Sequence, residues 1–343
     1  MDTGFAARFF TAFCLFTALL AVFPGSSCLA GERRGTVTFA IDINAPREIH
    51  TVKLWFPYPT TDLEQKIENL KFNGNYTRFN LSREPESGSL YLYTEWTGPL
   101  KKRDLTVSFH AVASERRVAN LKESGTGFPN EVKKYLSAEF FVPSDDPKIK
   151  SLARQIVAGK RGLLEKARAV YDWTVDNTTR DPNVPGCGLG NVEATIASRS
   201  GKCADISSVF VALARAAGIP AREIFGLRLG TPGQTDLTDG HHCWAEFYLP
   251  GSGWVPVDPA DVVKIRLQRQ LSPAGLRYYR DYYFGGVDQY RVTLHKGGRG
   301  INFSEGNAQK VNYFMYPYAE VDGKALDYCR PRTFHFTVSF RED

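Results

Sequence analysis

The sequence contains no run of basic residues, although its formal net charge is +6 at pH 7. The 43 Lys and Arg residues are spread along the 343 positions and form no basic arm. Proteins that bind nucleic acid usually concentrate their positive charge in one segment or patch. The lack of such a segment argues against a nucleic-acid partner, and we interpret the charge as a mild attraction to anionic surfaces.

After residues 1–30 the sequence also lacks any apolar run long enough to span a bilayer. Residues 1–30 themselves have the order of a secretory leader: Arg8, an apolar run at 9–23, a Pro-Gly-Ser-Ser break at 24–27 and small residues at 28–30. The run at 9–23 is short for a membrane span, so we expect cleavage; a retained anchor is the alternative. We predict an exported protein, periplasmic or extracellular, without a stable membrane span once the leader is removed.

Cysteine is scarce, with six residues in the chain. Cleavage of the leader removes Cys14 and Cys28, unless Cys28 carries a lipid, for which Gly25 stands in place of the expected Leu. The mature chain would keep Cys187, Cys203, Cys243 and Cys329. If one of these is a working thiol, the other three permit at most one disulfide and leave one further free thiol. An exported protein meets an oxidising environment, but the sequence does not identify the pair.

The length suits two or three domains, and 43% hydrophobic with 23% charged residues is an ordinary globular composition. Alternating apolar residues bounded by Gly, Pro and Asn predict short strands at 36–43, 49–57, 90–96 and 104–112. These strands predict a β-sandwich domain over 31–118, in which we find no catalytic set. A linker at 119–146 and a catalytic domain over 147–343 follow, and the catalytic domain includes a β-rich extension at 262–343.

A cysteine lies at the start of one predicted core helix. Gly201 comes two residues before Cys203. Apolar residues then recur every three or four positions, at Ile206, Val209, Phe210, Leu213 and Ala217. Gly218 and Pro220 end the helix. Cys203 is therefore expected in the first turn, where free N–H groups and the helix dipole favour a thiolate and can bind a developing oxyanion.

Two short strands downstream supply a base and a carboxylate. His242 follows Cys203 by 39 residues and lies on the first strand, and Asp258 follows His242 by 16 residues at the end of the second. Cys, His and Asp are the residue types of a nucleophile, a base and an orienting carboxylate. His241 points to the opposite face of the strand from His242. On chemistry alone, either histidine could be the base.

Four motifs in this order resemble the transglutaminase-like superfamily: Gly-Lys-Cys, Gly-Ile-Pro-Ala-Arg, His-Cys-Trp and Gly-Trp-Val-Pro-Val-Asp-Pro. The resemblance covers residues 163–262. It implies an α+β fold with a papain-like core, in which the helix that carries the cysteine packs on an antiparallel sheet. It also implies Cys203 as nucleophile, His242 as base through the family's His-x-Trp pattern, and Asp258 as the orienting residue. The implied reaction is thiol acyl transfer by a peptidase, amidase or transglutaminase.

Two features of the animal transglutaminases are missing from this sequence. A Trp that helps to hold the oxyanion has no counterpart at 181–191, so the second oxyanion donor stays unidentified. No calcium-binding loop is evident, and we predict no cofactor. Water as acyl acceptor would make a peptidase or amidase, a lysine amine would make a crosslinking enzyme, and both remain open. The expected partner is a protein or peptide substrate; export alone suggests cell-envelope peptides.

The same residues allow two other interpretations. A zinc site would use Cys187, Cys203, His241, His242 and Cys243. Neighbours on a strand point opposite ways, so this set lacks the usual ligand spacing, and we predict no metal. The second alternative is a non-catalytic peptide-binding or scaffold module on the same fold. A strongly lowered thiol pKa would favour the enzyme, and an ordinary buried thiol would favour the binding module.

Aromatic residues near the predicted site are candidates for substrate binding. Trp244 shares a strand face with His242, and a tyrosine run at 278–284 includes Tyr282 and Tyr283. A tyrosine ring offers a flat apolar face with a polar tip, which suits the wall of a peptide cleft. We therefore predict Trp244, Tyr282 and Tyr283 as substrate-binding residues. The alternative is that the last segment only completes the catalytic sheet.

Overall fold

The computed structural model describes Met1 and residues 31–46, 48–125, 127–327 and 334–343. The predicted leader, apart from Met1, and Cys329 lie outside the described residues. Cys187, Cys203 and Cys243 are free thiols, so no disulfide joins these three. In the described ranges we find no helix that is both long and apolar enough to cross a membrane.

The first part of the chain forms antiparallel strands. They are β1 (Glu32–Asp42), β2 (Thr51–Pro57), β3 (Gln65–Gly74), β4 (Arg78–Arg83), β5 (Leu90–Thr97), β6 (Asp104–Ser114) and β7 (Arg116–Arg117). In β1 and β6 every second side chain is buried, as expected for strands that face a core on one side. The four predicted strands correspond to β1, β2, β5 and β6.

The rest of the chain mixes helices and strands. Its first half contains α1 (Asn130–Lys133), a 3-10 turn (Lys134–Leu136), α2 (Pro147–Ile156), α3 (Leu163–Asn177), β8 (Thr179–Arg180), α4 (Val192–Ser198), β9 (Ser200–Gly201), α5 (Cys203–Ala216), β10 (Ala221–Arg228) and β11 (His241–Leu249). Its second half contains β12 (Gly253–Val257), α6 (Pro259–Gln268), α7 (Pro273–Tyr282), β13 (Gly286–Val287), β14 (Arg291–Lys296), β15 (Tyr318–Val321), β16 (Lys324–Ala325) and β17 (His335–Glu342).

Two antiparallel sheets form the predicted β-sandwich. One has the strand order β17-β1-β6-β3, and the other has the order β16-β15-β2-β5-β4. Phe39 from β1 and Phe56 from β2 meet edge to face with ring centroids 4.9 Å apart, within one apolar core. The sequence pattern missed β3 and β4 because their apolar alternation is weak. The only fully buried residue of β3 is Gln65, and β4 has none.

The end of the chain returns to this sandwich. β17 pairs with β1 from Gly35 opposite Glu342 to Asp42 opposite His335, and β15 pairs with β2. The expectation that residues 262–343 extend the catalytic part therefore needs correction: from β15 onward the strands complete the sandwich, because their apolar faces fit its core. The limits 31–118, 119–146 and 147–343 remain a proposal.

A further four-stranded sheet, separate from the two sheets of the sandwich, carries the predicted site. Its antiparallel order is β12-β11-β10-β14. Helix α5 packs on β10 and β11, and α2, α3, α4 and α6 surround it, so every α5 residue from Cys203 to Arg215 is buried. This arrangement confirms the predicted core, a helix that begins with a cysteine packed on an antiparallel sheet.

The closure of the sandwich by β17 predicts a position-specific effect on stability. Phe340 is 2% exposed and faces the core, whereas Thr337 on the same strand faces solvent. Phe340→Ala should lower the free energy of unfolding by about 3–5 kcal/mol, because it leaves a cavity between the sheets. Thr337→Ala is the control and should change the free energy of unfolding by less than about 0.5 kcal/mol. Urea unfolding measures the free energy of both variants. A similarly small loss of stability in both variants would contradict the role of β17 in completing the sandwich core.

Candidate active site

The start of α5 is held by a buried carboxylate. Asp205 accepts hydrogen bonds from the backbone N–H of Lys202 at 2.8 Å and of Gly190 at 2.7 Å. The first bond satisfies an N–H near the helix start, and the second ties the glycine-rich loop to the helix. A Cβ at Gly188 or Gly201 would come within 1.9 or 2.4 Å of the Asp205 side chain, so both positions require glycine. Cys203, the first residue of α5, is therefore fixed in position.

Three thiols meet at this helix start. The sulfur atoms of Cys187, Cys203 and Cys243 lie within 4.8 Å of one another. Contact with the Cys187 thiol, then with Cys243 and His242, holds the pKa of Cys203 well below its ordinary value. Contact with Cys203 raises the pKa of Cys187, and burial raises that of Cys243. Of the three thiols, Cys203 is therefore the one whose pKa is lowered.

His242 binds a fully buried carboxylate on its far side. Its Nε2 lies 2.7 Å from Oδ2 of Asp258, and a carboxylate can only accept, so Nε2 carries the proton. Asp258 follows β12 and caps α6, where its Oδ1 accepts the Asp261 N–H at 2.8 Å. Burial and Arg228 lower the pKa of His242, but the carboxylates of Asp258 and Asp261 outweigh them and raise it. The remaining ring nitrogen, Nδ1, is available to Cys203.

A buried arginine holds the carboxylates together. Arg291, at the start of β14, donates to Asp258, to Oδ2 of Asp261 at 2.7 Å and to Oδ2 of Asp288 at 3.0 Å. Arg228 donates to the same Oδ2 of Asp261 at 2.6 Å. The charge of Arg228 is the largest of the effects that hold the pKa of Asp261 far below its ordinary value despite burial. The sequence patterns did not predict a role for Arg228, Arg291 or Asp261. The one available signal was the Asp-Pro-x-Asp pattern at 258–261, which places a second carboxylate at the start of the same helix.

The two neighbouring histidines have different environments. Burial lowers the pKa of His241 to about 4. Neither ring nitrogen of His241 makes a hydrogen bond within the described part of the chain, and its ring packs on Tyr316 with centroids 4.3 Å apart. His242 instead has a carboxylate partner and a raised pKa. The geometry therefore favours His242 as the proton carrier, a choice that residue chemistry alone left open.

A cleft of about 730 Å³ lies beside Cys203. Its lining includes Cys187, Cys203, His241, His242, the cations Arg180, Lys202, Arg228 and Lys264, and the aromatic residues Tyr316, Phe334 and Phe336. Asp258 lies behind His242 and is completely buried. The cleft thus exposes the thiol and imidazole to a ligand and keeps the carboxylate away from water.

The three predicted substrate-binding aromatics do not line this cleft. Trp244 is buried against Arg291, with the guanidinium 5.4 Å from the ring centroid. Tyr282 donates to Glu115 at 2.7 Å, and Tyr283 donates to Asp288 at 3.1 Å. The tyrosine run lies largely on α7. The hydrogen bonds of Tyr282 and Tyr283 direct both rings toward other parts of the protein and away from the cleft. The sequence pattern of the run did not reveal that direction.

Two groups of ligand-type atoms are close enough to share a metal ion. One is the thiol cluster, and the other is His242 with Asp258 and Asp261; the described residues add no fourth ligand to either. Arg291 already occupies the carboxylates, so a cation there would meet a fixed positive charge. The thiols suit a soft metal. Neither His241 nor His242 joins them, as the zinc alternative would require.

The ion cluster predicts a large cost for loss of Arg291. Arg291→Met should lower the free energy of unfolding by about 3–5 kcal/mol, because it strips buried carboxylates of their counter-charge. Arg34 is the matched control, since it pairs with Glu32 on the surface. Arg34→Met should change the free energy by no more than about 0.5 kcal/mol. Urea unfolding measures both values, and a similar small loss in both would contradict the role assigned to Arg291.

Comparison with known proteins identifies a family and several relatives. Residues 150–259 match the family model described as the transglutaminase-like superfamily. An uncharacterised protein of Haemophilus influenzae is 35% identical over 311 residues, covering 82% of this chain and 84% of that protein. A protein-glutamine gamma-glutamyltransferase of Pseudomonas aeruginosa is 36% identical over 83 residues, covering 22% of this chain and 12% of that protein.

Among solved structures, a protein from Cytophaga hutchinsonii described as a candidate cysteine protease has a TM-score of 0.54 at 16% identity. The match covers 91% of this chain and all of that one, and at this identity it shows a shared fold. The matched family model spans the helix that begins at Cys203 and the hairpin that ends at Asp258. The chain therefore belongs to the transglutaminase-like superfamily.

Proposed function

We propose that this protein is an exported thiol acyl-transfer enzyme that acts on peptide or carboxamide bonds. Cys203 is the nucleophile, His242 the general base and acid, and Asp258 the orienting carboxylate. One observation carries the proposal: Nε2 of His242 binds buried Asp258 at 2.7 Å, while His242 and Cys203 line the same cleft. Members of the superfamily include cysteine proteases and acyltransferases, and this residue set suits both activities.

The proposed reaction begins with the Cys203 thiolate. Its sulfur attacks the carbonyl carbon of the substrate, and the carbonyl oxygen becomes an oxyanion. The Ala204 N–H already donates to the Cys187 carbonyl at 2.9 Å, so we assign the Cys203 N–H as an oxyanion donor. The C–N bond then breaks, and the imidazolium of His242 gives its proton to the leaving amine. A thioester on Cys203 remains.

The second half of the reaction releases the acyl group. Water or an amine attacks the thioester carbonyl, His242 takes the attacking proton, and the Cys203 thiolate leaves. With water the protein is a peptidase or amidase, and with a lysine amine it is a transglutaminase. Both acceptors use the same residues, so the acyl-enzyme is the common intermediate to be sought.

The second candidate is a peptide-binding module with the same fold and no turnover. One observation favours it, since the Cys203 side chain is only 3% exposed. The lowered pKa of Cys203 and its place in the cleft lining favour the enzyme instead. A binding module needs neither a buried Asp behind His242 nor a thiolate, so the site chemistry supports catalysis.

The proposal of export rests on the leader-like residues 1–30. It places the enzyme in the periplasm or outside the cell, where cell-envelope peptides are available as substrates. Incubation with purified sacculi tests that substrate. The absence of any released peptide or amine would count against it and would leave the proposed triad untouched.

The Cys203–His242 pair predicts an unusual pH dependence of alkylation. Iodoacetamide should label Cys203 well below the ordinary thiol pKa of about 8.5, because the thiolate persists there. His242→Ala removes one of the groups that lower the pKa of Cys203, so labelling near pH 6 should slow several-fold. Peptide mass spectrometry measures the rate, with His110→Ala as the control on a sandwich strand. An identical profile in wild type and His242→Ala would overturn the proposed pair.

The proposed thioester should be observable directly. A peptide library incubated with the protein and quenched in acid should leave a mass adduct on Cys203 that hydroxylamine removes. His242→Ala should slow its formation by about 100-fold or more, the usual contribution of a general acid–base group. Cys203→Ala should form none. Repeating the reaction with added methylamine reveals the acceptor, and complete absence of acylation across a broad library would favour the binding module.

A further inference from the structure

The cleft beside Cys203 contains positive charges that the protein does not neutralise. Arg180, Lys202, Arg228 and Lys264 line it. Arg228 pairs with Asp261 at 2.6 Å and with Asp288 at 3.5 Å. The other three make no ion pair and no side-chain hydrogen bond with the residues that the structure describes. The lining includes one acidic residue, Asp239, which is exposed on the loop before β11.

Each of the three unpaired cations comes from a different element around the thiol. Arg180 lies on β8, where its backbone is in register with Gly201 of β9, two residues before Cys203. Lys202 immediately precedes Cys203, and Lys264 lies on α6, which begins after Asp258. The fold thus brings these cations to the edge of one cavity, and sequence separation alone does not predict that meeting.

This arrangement of like charges costs free energy. Burial is the largest effect on the pKa of Lys264 and lowers it, and the charges of Arg228 and Arg180 lower it further. Asp261 and Cys203 act in the opposite direction, but the pKa of Lys264 stays below its ordinary value. Half-buried like charges normally acquire a counter-charge in the fold, because desolvation and repulsion both cost free energy. In the described part of the cleft, no carboxylate lies within ion-pair distance of Arg180, Lys202 or Lys264. An anionic ligand would supply a counter-charge and would gain affinity from the same field.

We infer that the acyl donor of this enzyme is an anionic peptide, with a carboxylate seated among Arg180, Lys202 and Lys264 while its carbonyl faces Cys203. The inference rests on the proposed function and specifies its substrate class. A guanidinium fork and two ammonium groups match a carboxylate in charge and in hydrogen-bond donors. A peptide can supply that carboxylate from an Asp or Glu side chain or from its own C-terminus. A substrate without a negative charge would leave the three cations unpaired.

A matched pair of alkylating reagents measures the field at the thiol without a known substrate. Iodoacetate is anionic and iodoacetamide is neutral, and both alkylate a thiolate. The rate constant of iodoacetate divided by that of iodoacetamide is measured at Cys203 and for glutathione. The ratio at Cys203 divided by the ratio for glutathione is the normalised ratio, and it reports the preference of the site for an anion. In wild type the normalised ratio should be about 10, the lower range for electrostatic focusing in a cleft, and 0.5 M NaCl should reduce it.

Two double variants with the same change in net charge provide the comparison. Arg180→Met with Lys264→Met should bring the normalised ratio close to 1. Arg154→Met with Lys160→Met removes two cations from the exposed surface and should leave the ratio at the wild-type value. Thermal unfolding checks that both variants are folded, and the salt dependence of the wild type tests the field without any variant.

The outcomes separate this inference from the proposed function. Two outcomes would overturn the anionic substrate and leave the proposed nucleophile standing. In the first, iodoacetamide labels Cys203 normally but the normalised ratio of the wild type is near 1. In the second, the ratio stays high after loss of Arg180 and Lys264. Failure of iodoacetamide to label Cys203 in the folded protein would overturn the proposed nucleophile and this inference with it. A high, salt-sensitive ratio that depends on the two cleft cations would support the inference.

The source of the carboxylate can be separated by protection experiments. N-acetyl-alanyl-glutamic α-amide has only a side-chain carboxylate, and N-acetyl-alanyl-alanine has only a terminal one. At least one of them should slow iodoacetamide labelling of Cys203 more than the neutral N-acetyl-alanyl-alaninamide does, and the stronger protector identifies the source. Equal protection by all three peptides would contradict a carboxylate site.

Discussion

The buried guanidinium of Arg291 is the contact on which the site depends. It joins β14 to the start of α6 by donating to Asp258 and Asp261, and it reaches Asp288 on the preceding loop. Without this charge, a completely buried carboxylate behind His242 would be costly, because ionised groups are stable in the interior only when paired and hydrogen-bonded. With it, the Asp258 carboxylate binds both the guanidinium and Nε2 of His242, and so holds the Nε2–H tautomer of the imidazole. The orientation of the imidazole therefore follows from an ion cluster distributed over several elements.

On the other side of the imidazole, three thiols meet at the start of α5. The sulfur atoms of Cys187 and Cys243 lie within 4.8 Å of Cys203, and both thiols have raised pKa values. The Cys187 thiol donates to the His241 carbonyl at 3.3 Å, and the Cys243 thiol donates to Sδ of Met315 at 3.7 Å. Asp205 is bound to the backbone of the helix start and the glycine loop, and burial together with the charge of Cys203 raises its pKa. The lowered pKa of Cys203 and the raised pKa of His242 are the two directions that the proposed thiolate–imidazolium pair requires.

The sandwich also contributes to the cleft. The loop between β10 and β11 binds the last strand, where the Leu237 N–H donates to the Val338 carbonyl at 2.7 Å and the Phe340 N–H donates to the Thr235 carbonyl at 2.7 Å. Phe336 from the same strand packs in the sandwich core and lines the cleft. One strand therefore closes the β-sandwich and supports a wall of the cleft. The sandwich is more than an appended module, because it shapes the entrance to the thiol.

Local sequence patterns were sufficient to predict the elements with a clear apolar period and the residues at their ends. The apolar period of α5, its Gly-Lys-Cys start and the hairpin from His242 to Asp258 needed only local rules. Tertiary structure alone decided the partners of those residues. Arg291 is 33 positions from Asp258, β17 pairs with a strand at the opposite end of the chain, and the three unpaired cleft cations come from three separate segments. Periodicity and turn chemistry act over a few residues, whereas ion pairing, strand order and the direction of an aromatic ring depend on which distant segments pack together.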